Sequence, residues 1–181
     1  MGFPRSGTAS ADQEREGLSH LREWLVGGAV IEGPQGLLLV RNRRHDGSFD
    51  WSPPGGVIDE GETVVDGLSR EVTEETGLVV TRWSGKLYEI EAHAPDMGWT
   101  LRVEAWLAHS WEGELRFDDP DGIVETAAWV PADDCGDHLA DVARWVSEPV
   151  LEWTTDRWSD IRSFSYRIDG ADRSSLVVTR V

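Results

Sequence analysis

Apolar residues fall into short runs broken by glycine and proline, and only two stretches carry helical spacing. Trp24 to Ile31 reads as a strand containing Gly27 and Gly28, where backbone can approach a neighbour closely. Gly33-Pro34-Gln35-Gly36 is turn chemistry and Leu37 to Val40 is a second apolar run, so the pair predicts a β-hairpin. Asn42 to Asp50 reads as a polar loop, and Trp51-Ser-Pro-Pro-Gly-Gly as irregular backbone, because paired prolines and glycines disfavour helix and strand alike. Val65, Leu68, Val72 and Thr76 then recur at spacings of three and four, which predicts an amphipathic helix. Thr63 suits its N-cap and Gly77 its stop. Strands are predicted over 78–83, 87–93, 100–110 and 126–130. Residues 131–146 begin as a turn and become helical, with Leu139, Val142, Ala143 and Val146 on one side. Alternation over 161–168, a turn at 169–172 and a β-prone run over 175–179 predict a C-terminal hairpin.

Strands interleaved with helices make this an α/β chain. Residues 1–17 are small and polar with no apolar period, and are expected to be disordered. Residues 18–150 form the expected domain and 151–181 an extension. Charge narrows the function classes: 17 Lys plus Arg stand against 34 Asp plus Glu, a formal charge of −17. That balance disfavours a grip on long nucleic acid or an anionic membrane, which draws on clustered cations. One cysteine, Cys135, excludes an intrachain disulfide and a multi-cysteine zinc site. No apolar run approaches the roughly 20 residues of a membrane span, and no secretory leader is evident, so a cytoplasmic location is the expectation. Most of the ten tryptophans are expected to serve packing.

Residues 56–78 carry the candidate chemistry. Glu71, Glu74 and Glu75 stand at i, i+3 and i+4, so they share one side of the predicted helix, away from its apolar stripe. Three like charges this close need either full solvation or a cation, and hard carboxylate oxygens suit Mg²⁺ or Mn²⁺. Arg70, four residues before Glu74, is placed to neutralise one carboxylate. Gly55, Gly56 and Gly61 allow the preceding loop to bend and bring Glu62 back over the helix. A solvated acidic face and a metal site both satisfy this pattern.

The same stretch resembles the Nudix hydrolases, whose motif is Gly, five residues, Glu, seven residues, then Arg-Glu-apolar-x-Glu-Glu-x-Gly-apolar. Gly56, Glu62, Arg70, Glu71, Val72, Glu74, Glu75, Gly77 and Leu78 meet every specified position at the right spacing. The resemblance extends over about residues 21–148 and leaves the tail beyond Val150 unexplained. It implies an α/β/α sandwich with a mixed sheet, here with a β-hairpin extension. It implies that Glu71, Glu74 and Glu75 bind divalent metal, usually Mg²⁺ with Mn²⁺ as a substitute. Glu62 would support the loop, Arg70 would hold the carboxylates, and Gly55 and Gly56 would offer backbone to metal or phosphate. The implied reaction is hydrolysis of a pyrophosphate bond in a nucleoside diphosphate linked to another group.

Several assignments rest on less. For the catalytic base, Glu125 is preferred over Asp118, Asp119 and Asp121, against the plainer reading of an exposed strand-end carboxylate. Arg41, Arg43, Arg44 and His45 form the densest cationic run, and arginine's fork suits phosphate. Trp51 or Trp99 could stack on a base. Among substrates, (d)NTPs, including oxidised ones, rank ahead of ADP-ribose and nucleotide sugars, on a MutT-like stretch around Trp111-Glu-Gly-Glu. Rival readings are a nucleotide-binding sensor without turnover and an RNA 5′-end hydrolase, the latter disfavoured by the lack of a basic stripe. Because an isolated two-stranded unit is marginal, the C-terminal hairpin is expected on the main sheet or on a second subunit, and a homodimer is preferred.

Overall fold

The computed structural model describes residues 22–117, 122–171 and 175–181. The predicted disordered segment, the aspartates at 118, 119 and 121, and the last residue of the predicted C-terminal turn lie outside the described residues.

Two sheets share the core. In the larger, β1 (Arg22–Val30) runs parallel to β6 (Trp99–Glu112), and β6 is antiparallel to the long β5 (Val79–Ala94). β5 is in turn parallel to β8 (Arg162–Asp169), which pairs antiparallel with β9 (Val177–Arg180). In the smaller sheet β3 (Gly36–Arg43) is central, flanked on one edge by β7 (Val124–Val130) and on the other by β2 (Glu32–Gly33) and β4 (Phe49–Ser52). The mixed pairing matches the mixed sheet expected. β3 explains its own unbroken Leu-Leu-Leu-Val run, for both its faces are covered. Leu37 and Leu39 join a core with Tyr88, Val150, Trp153 and Phe164, while Leu38 and Val40 join a second core with Ala29, Leu68 and Val72.

Helix α1 (Val64–Thr76) keeps both predicted ends. Thr63 Oγ1 accepts the Asp66 N–H at 3.2 Å, and Gly77 takes φ 75° with its N–H donated to the Thr73 carbonyl. Leu68 and Val72 are fully buried. A Cβ on Gly27 would stand 3.1 Å from Ile58 Cδ1 and 3.2 Å from Leu68 Cβ, so the bare position lets α1 and its loop settle on β1.

Three expectations are corrected and a fourth is narrowed. First, β1 does not form a hairpin with β3. The chain bends at Ile31, so that β1 serves the larger sheet and only β2 pairs with β3 across Pro34-Gln35. Second, the predicted loop over 42–50 is largely a β3–β4 hairpin that includes Trp51 and Ser52, and Asn42 binds both Asp50 and Ser52 across it. Third, the late helix is not continuous over 131–146. A short α2 (Cys135–His138) gives way to a turn, and the longer α3 spans Arg144–Asp156 with Pro149 inside it. Residue 150, the expected boundary, therefore falls within a helix. Fourth, the C-terminal hairpin extends the sheet of its own chain. Phe164, Tyr166 and Ile168 are at most 2% exposed and pack with α3, each burial contributing roughly 1.5–3 kcal/mol. Of the two placements expected for the hairpin, the main sheet is the one seen within the chain.

Candidate active site

Backbone of residues 54–58 runs along the outer edge of β1. Gly27 N–H donates to the Gly56 carbonyl at 2.9 Å, Ala29 N–H to that of Pro54 at 2.8 Å, and Ile58 N–H to that of Leu25 at 2.9 Å. Gly55 adopts φ 147°, and a Cβ there would strike the Gly27 carbonyl oxygen, so only glycine fits. Its N–H points to α1 and donates to Glu75 Oε2 at 2.9 Å. At Gly56 a Cβ would stand 2.5 Å from Glu71 Oε2. The two glycines therefore let two helix carboxylates reach the loop backbone.

Arg70 holds the acidic face together. Its Nε and Nη2 donate to the two oxygens of Glu62 at 3.1 and 3.0 Å, a bidentate pair. Its Nη1 reaches Glu71 Oε1 at 2.7 Å and Glu74 Oε2 at 3.3 Å. Glu62 also accepts the Asp59 N–H, which ties the loop to the helix. The hydrogen bonds from Arg70 hold the Glu62 carboxyl below its ordinary value, against a smaller opposing effect of burial. Those to Glu62 and Glu71 raise Arg70 itself. Gly67, which costs helix propensity, has a spatial reason: a Cβ there would stand 2.7 Å from Glu62 Oε2 and 2.9 Å from Ile58 Cδ1.

These groups form one end of a cavity of about 640 Å³. Gly55, Gly56, Asp59, Arg70, Glu71 and Glu75 line that end, and Glu74, on the neighbouring side of α1, does not. The rest of the wall comes from other elements: Val26 and Gly28 on β1, Tyr88 and Ile90 on β5, Leu101, Val103 and Ala105 on β6, and Trp145 and Val146 at the start of α3. Asn42, Arg44 and Ser52 add polar groups. A pocket with convergent polar groups at one end and apolar walls elsewhere is the usual form of a small-molecule site.

Of Arg41, Arg43 and Arg44, only Arg44 lines the cavity; it forks onto Asp50 with contacts of 2.5 and 2.8 Å. Arg43 instead pairs with Glu125 at 2.6 Å, and Arg41 approaches the same carboxylate at 3.7 Å. The Arg41 guanidinium also lies 4.1 Å from the centre of the Phe49 ring. Glu125 is the extra residue of a β-bulge, where pairing steps from Arg41–Thr126 to Asn42–Val124. The structure thus places Arg41, Arg43 and Glu125 together, but outside the cavity lining. Trp51 packs edge-on to His138, and Trp99 lies between Trp24 and Trp145, so neither forms the wall.

Sequence reasoning missed Asn42, Ser52, Tyr88 and Trp145. Asn42 carried one usable signal, a neutral amide set between two arginines just past the Leu37–Val40 run. Tyr88 is 4% exposed, and burial pushes its phenol well above its ordinary value, so it stays protonated.

Among the described residues no three His, Cys, Asp or Glu side chains are gathered as a metal cage. The donors present nevertheless fit Mg²⁺. That ion needs only one or two carboxylates and completes its shell with water and substrate phosphate oxygens. Glu71 and Glu75, converging on Gly55 and Gly56 at the cavity end, supply that pair.

Comparison with known proteins agrees with the motif. A family model described as the NUDIX domain matches residues 23–154. A Mycobacterium tuberculosis protein named "Putative 8-oxo-dGTP diphosphatase 2" is 30% identical over 131 residues, covering 68% of this chain and 90% of the relative. An "8-oxo-(d)GTP phosphatase" of Mycolicibacterium smegmatis is 34% identical over 106 residues, 57% of this chain, which spans only 29% of that longer protein. In structure, a MutT NUDIX hydrolase from Burkholderia pseudomallei superposes with a TM-score of 0.60 at 26% identity, covering 72% of this chain and 97% of that one. With its motif complete and Glu71 and Glu75 brought to one cavity, the chain belongs to the Nudix hydrolase family.

Proposed function

We propose that this chain hydrolyses a pyrophosphate bond of a nucleoside triphosphate, with oxidised purine (d)NTPs as its preferred substrates and Mg²⁺ as its cofactor. The observation that carries the reading is the two-ended cavity: a carboxylate pair on a glycine-rich turn at one end, aromatic and aliphatic walls at the other. Its volume suits one nucleotide. The names of the two mycobacterial relatives support the oxidised-purine preference.

Glu71 and Glu75 would hold the metal, with Mn²⁺ as a substitute. Bound there, it supplies charge neutralisation on the phosphate oxygens and a lowered pKa for the attacking water. The chain's own residues do the rest. Arg70 keeps Glu71 oriented and, with Glu62, fixes the loop that carries Gly55 and Gly56. Arg44, its fork held by Asp50, places a cation on the cavity wall. Tyr88 and Trp145 offer ring surface to a base. Among the described residues the carboxylates lining the cavity are Asp59, Glu71 and Glu75, so the acceptor of the water's proton is sought among these before Glu125. No helix among the described residues is long and apolar enough to cross a membrane. The net charge favours a small nucleotide over a long nucleic acid.

Incubation with Mg²⁺ and a panel of (d)NTPs, oxidised (d)NTPs, ADP-ribose, nucleotide sugars and 5′-triphosphate RNA tests this. Nucleoside monophosphate plus pyrophosphate, fastest from an oxidised purine, is the expected result. AMP plus ribose 5-phosphate as the main products would move the assignment to ADP-ribose, and tight binding without turnover would make the chain a sensor.

A further inference from the structure

We propose that the C-terminal hairpin braces the cavity's aromatic wall, with Tyr166 as a positioning residue whose hydroxyl, through Glu148 and Arg144, sets the first turn of α3 and thereby Trp145. The inference rests on the functional reading above for the ligand that Trp145 meets.

The first turn of α3 carries two wall residues, Trp145 and Val146, yet its own helix holds it poorly. Ala143, at the N-cap, has no side-chain oxygen to accept the first N–H groups. Pro149 has no N–H to give, so the Trp145 carbonyl loses the helical donor it would find four residues on. A helix start that lacks both a cap and this bond frays unless other elements hold it.

The hairpin supplies that hold. Arg144, Glu148 and Glu152 stand at i, i+4 and i+8, so they share one face of α3. Arg144 Nη1 donates to the Val178 carbonyl of β9 at 2.8 Å, and its Nε donates to Glu148 Oε1 at 2.6 Å. The other Glu148 oxygen accepts the Tyr166 hydroxyl of β8 at 3.0 Å. Arg180 of β9 pairs with Glu152 further along the same face. Tyr166 is 1% exposed and paired in register with Ala92 of β5, so its hydroxyl is a fixed point.

A second contact reaches the wall from the other side. At the end of β8, the Gly170 N–H donates to Asp96 Oδ2 at 2.9 Å, in the short helical turn Pro95–Met97 that leads into Trp99. Trp99 stands edge-on to Trp145, with ring centres 6.4 Å apart. The hairpin thus holds both the turn that carries Trp145 and the segment that carries its neighbour.

The test uses the full chain labelled with 5-fluorotryptophan and read by fluorine NMR. The Trp145 and Trp153 lines are assigned as those missing from Trp145→Phe and Trp153→Phe. Tyr166→Phe, which keeps the ring and removes the bond, should shift or broaden the Trp145 line and leave that of Trp153, further along the same helix, in place. Arg144→Ala, at a side chain 54% exposed, should do the same and decides the matter if Tyr166→Phe does not fold. With Mg²⁺ and 8-oxo-dGTP, both variants should raise KM about three- to tenfold with kcat within about threefold, and neither should raise KM further in a Trp145→Ala background. An unmoved Trp145 line in a folded variant, equal movement of both lines, or a KM effect that persists without Trp145 overturns the proposal. A moved Trp145 line with no turnover of any nucleotide would sink the functional reading and leave the brace standing. Turnover as proposed with an unmoved line would do the reverse.

Discussion

At one end of the cavity, Gly55, Gly56, Arg70, Glu71 and Glu75 come from a single stretch of chain; at the other, Val26, Tyr88, Leu101 and Trp145 come from four separate elements. The first end follows local rules: helical spacing, a cap, and glycines where carboxylates approach backbone. The second exists only because β1, β5, β6 and α3 converge. On the proposed function the first end would hold the reacting phosphates and the second would select the substrate, so substitutions at the two ends should fail differently.

The largest effect belongs to the carboxylates. Glu75→Gln should lower kcat by about 10³-fold or more in saturating Mg²⁺, as expected for loss of one metal-holding group. Thermal melting should shift by only a few degrees, since the side chain sits at a cavity wall. Retained turnover in steady-state assays would move the chemistry elsewhere. Next comes Gly56→Ala, which sets a methyl against the Glu71 carboxylate. It should cost roughly 10–100-fold in kcat/KM by misplacing that group, with the fold unchanged by circular dichroism.

Trp145→Ala probes the opposite end. It should raise KM by about tenfold while kcat stays within about threefold, because a wall contact binds ground state and transition state alike. A matching loss in kcat would mean that the two ends are not separable. The smallest effect is expected at the second cluster of charge. Arg43→Ala and Glu125→Gln break an ion pair that lies outside the cavity lining, with side chains 59% and 31% exposed. Each should cost about 0–1 kcal/mol in stability and leave kcat/KM within about threefold. A large loss in Glu125→Gln would restore it as the base.

The same contrast explains how far the sequence could be read. Both caps of α1, its buried stripe and its link from Arg70 to Glu74 follow from spacing within a turn or two, so they were legible. Arg41 and Arg43 looked like phosphate ligands because charge density carries no direction, whereas strand register turns them to Glu125 and Phe49. Helix α3 was displaced in the reading because Ala143 offers no side-chain cap and Pro149 resembles a terminator. In the fold, buried Val150 and Trp153 hold the helix through that proline. The tail beyond it had no motif to identify it, yet its alternation correctly marked a hairpin whose partner, β5, only topology could reveal.

A crystal structure of the Glu75→Gln protein with Mg²⁺ and 8-oxo-dGTP tests the central claim most directly. The account predicts the phosphates against Gly55, Gly56 and Glu71, and the base against Tyr88 and Trp145 in the same cavity. Phosphates bound at Arg41 and Arg43, or a base lying outside the wall formed by β5 and α3, would contradict it.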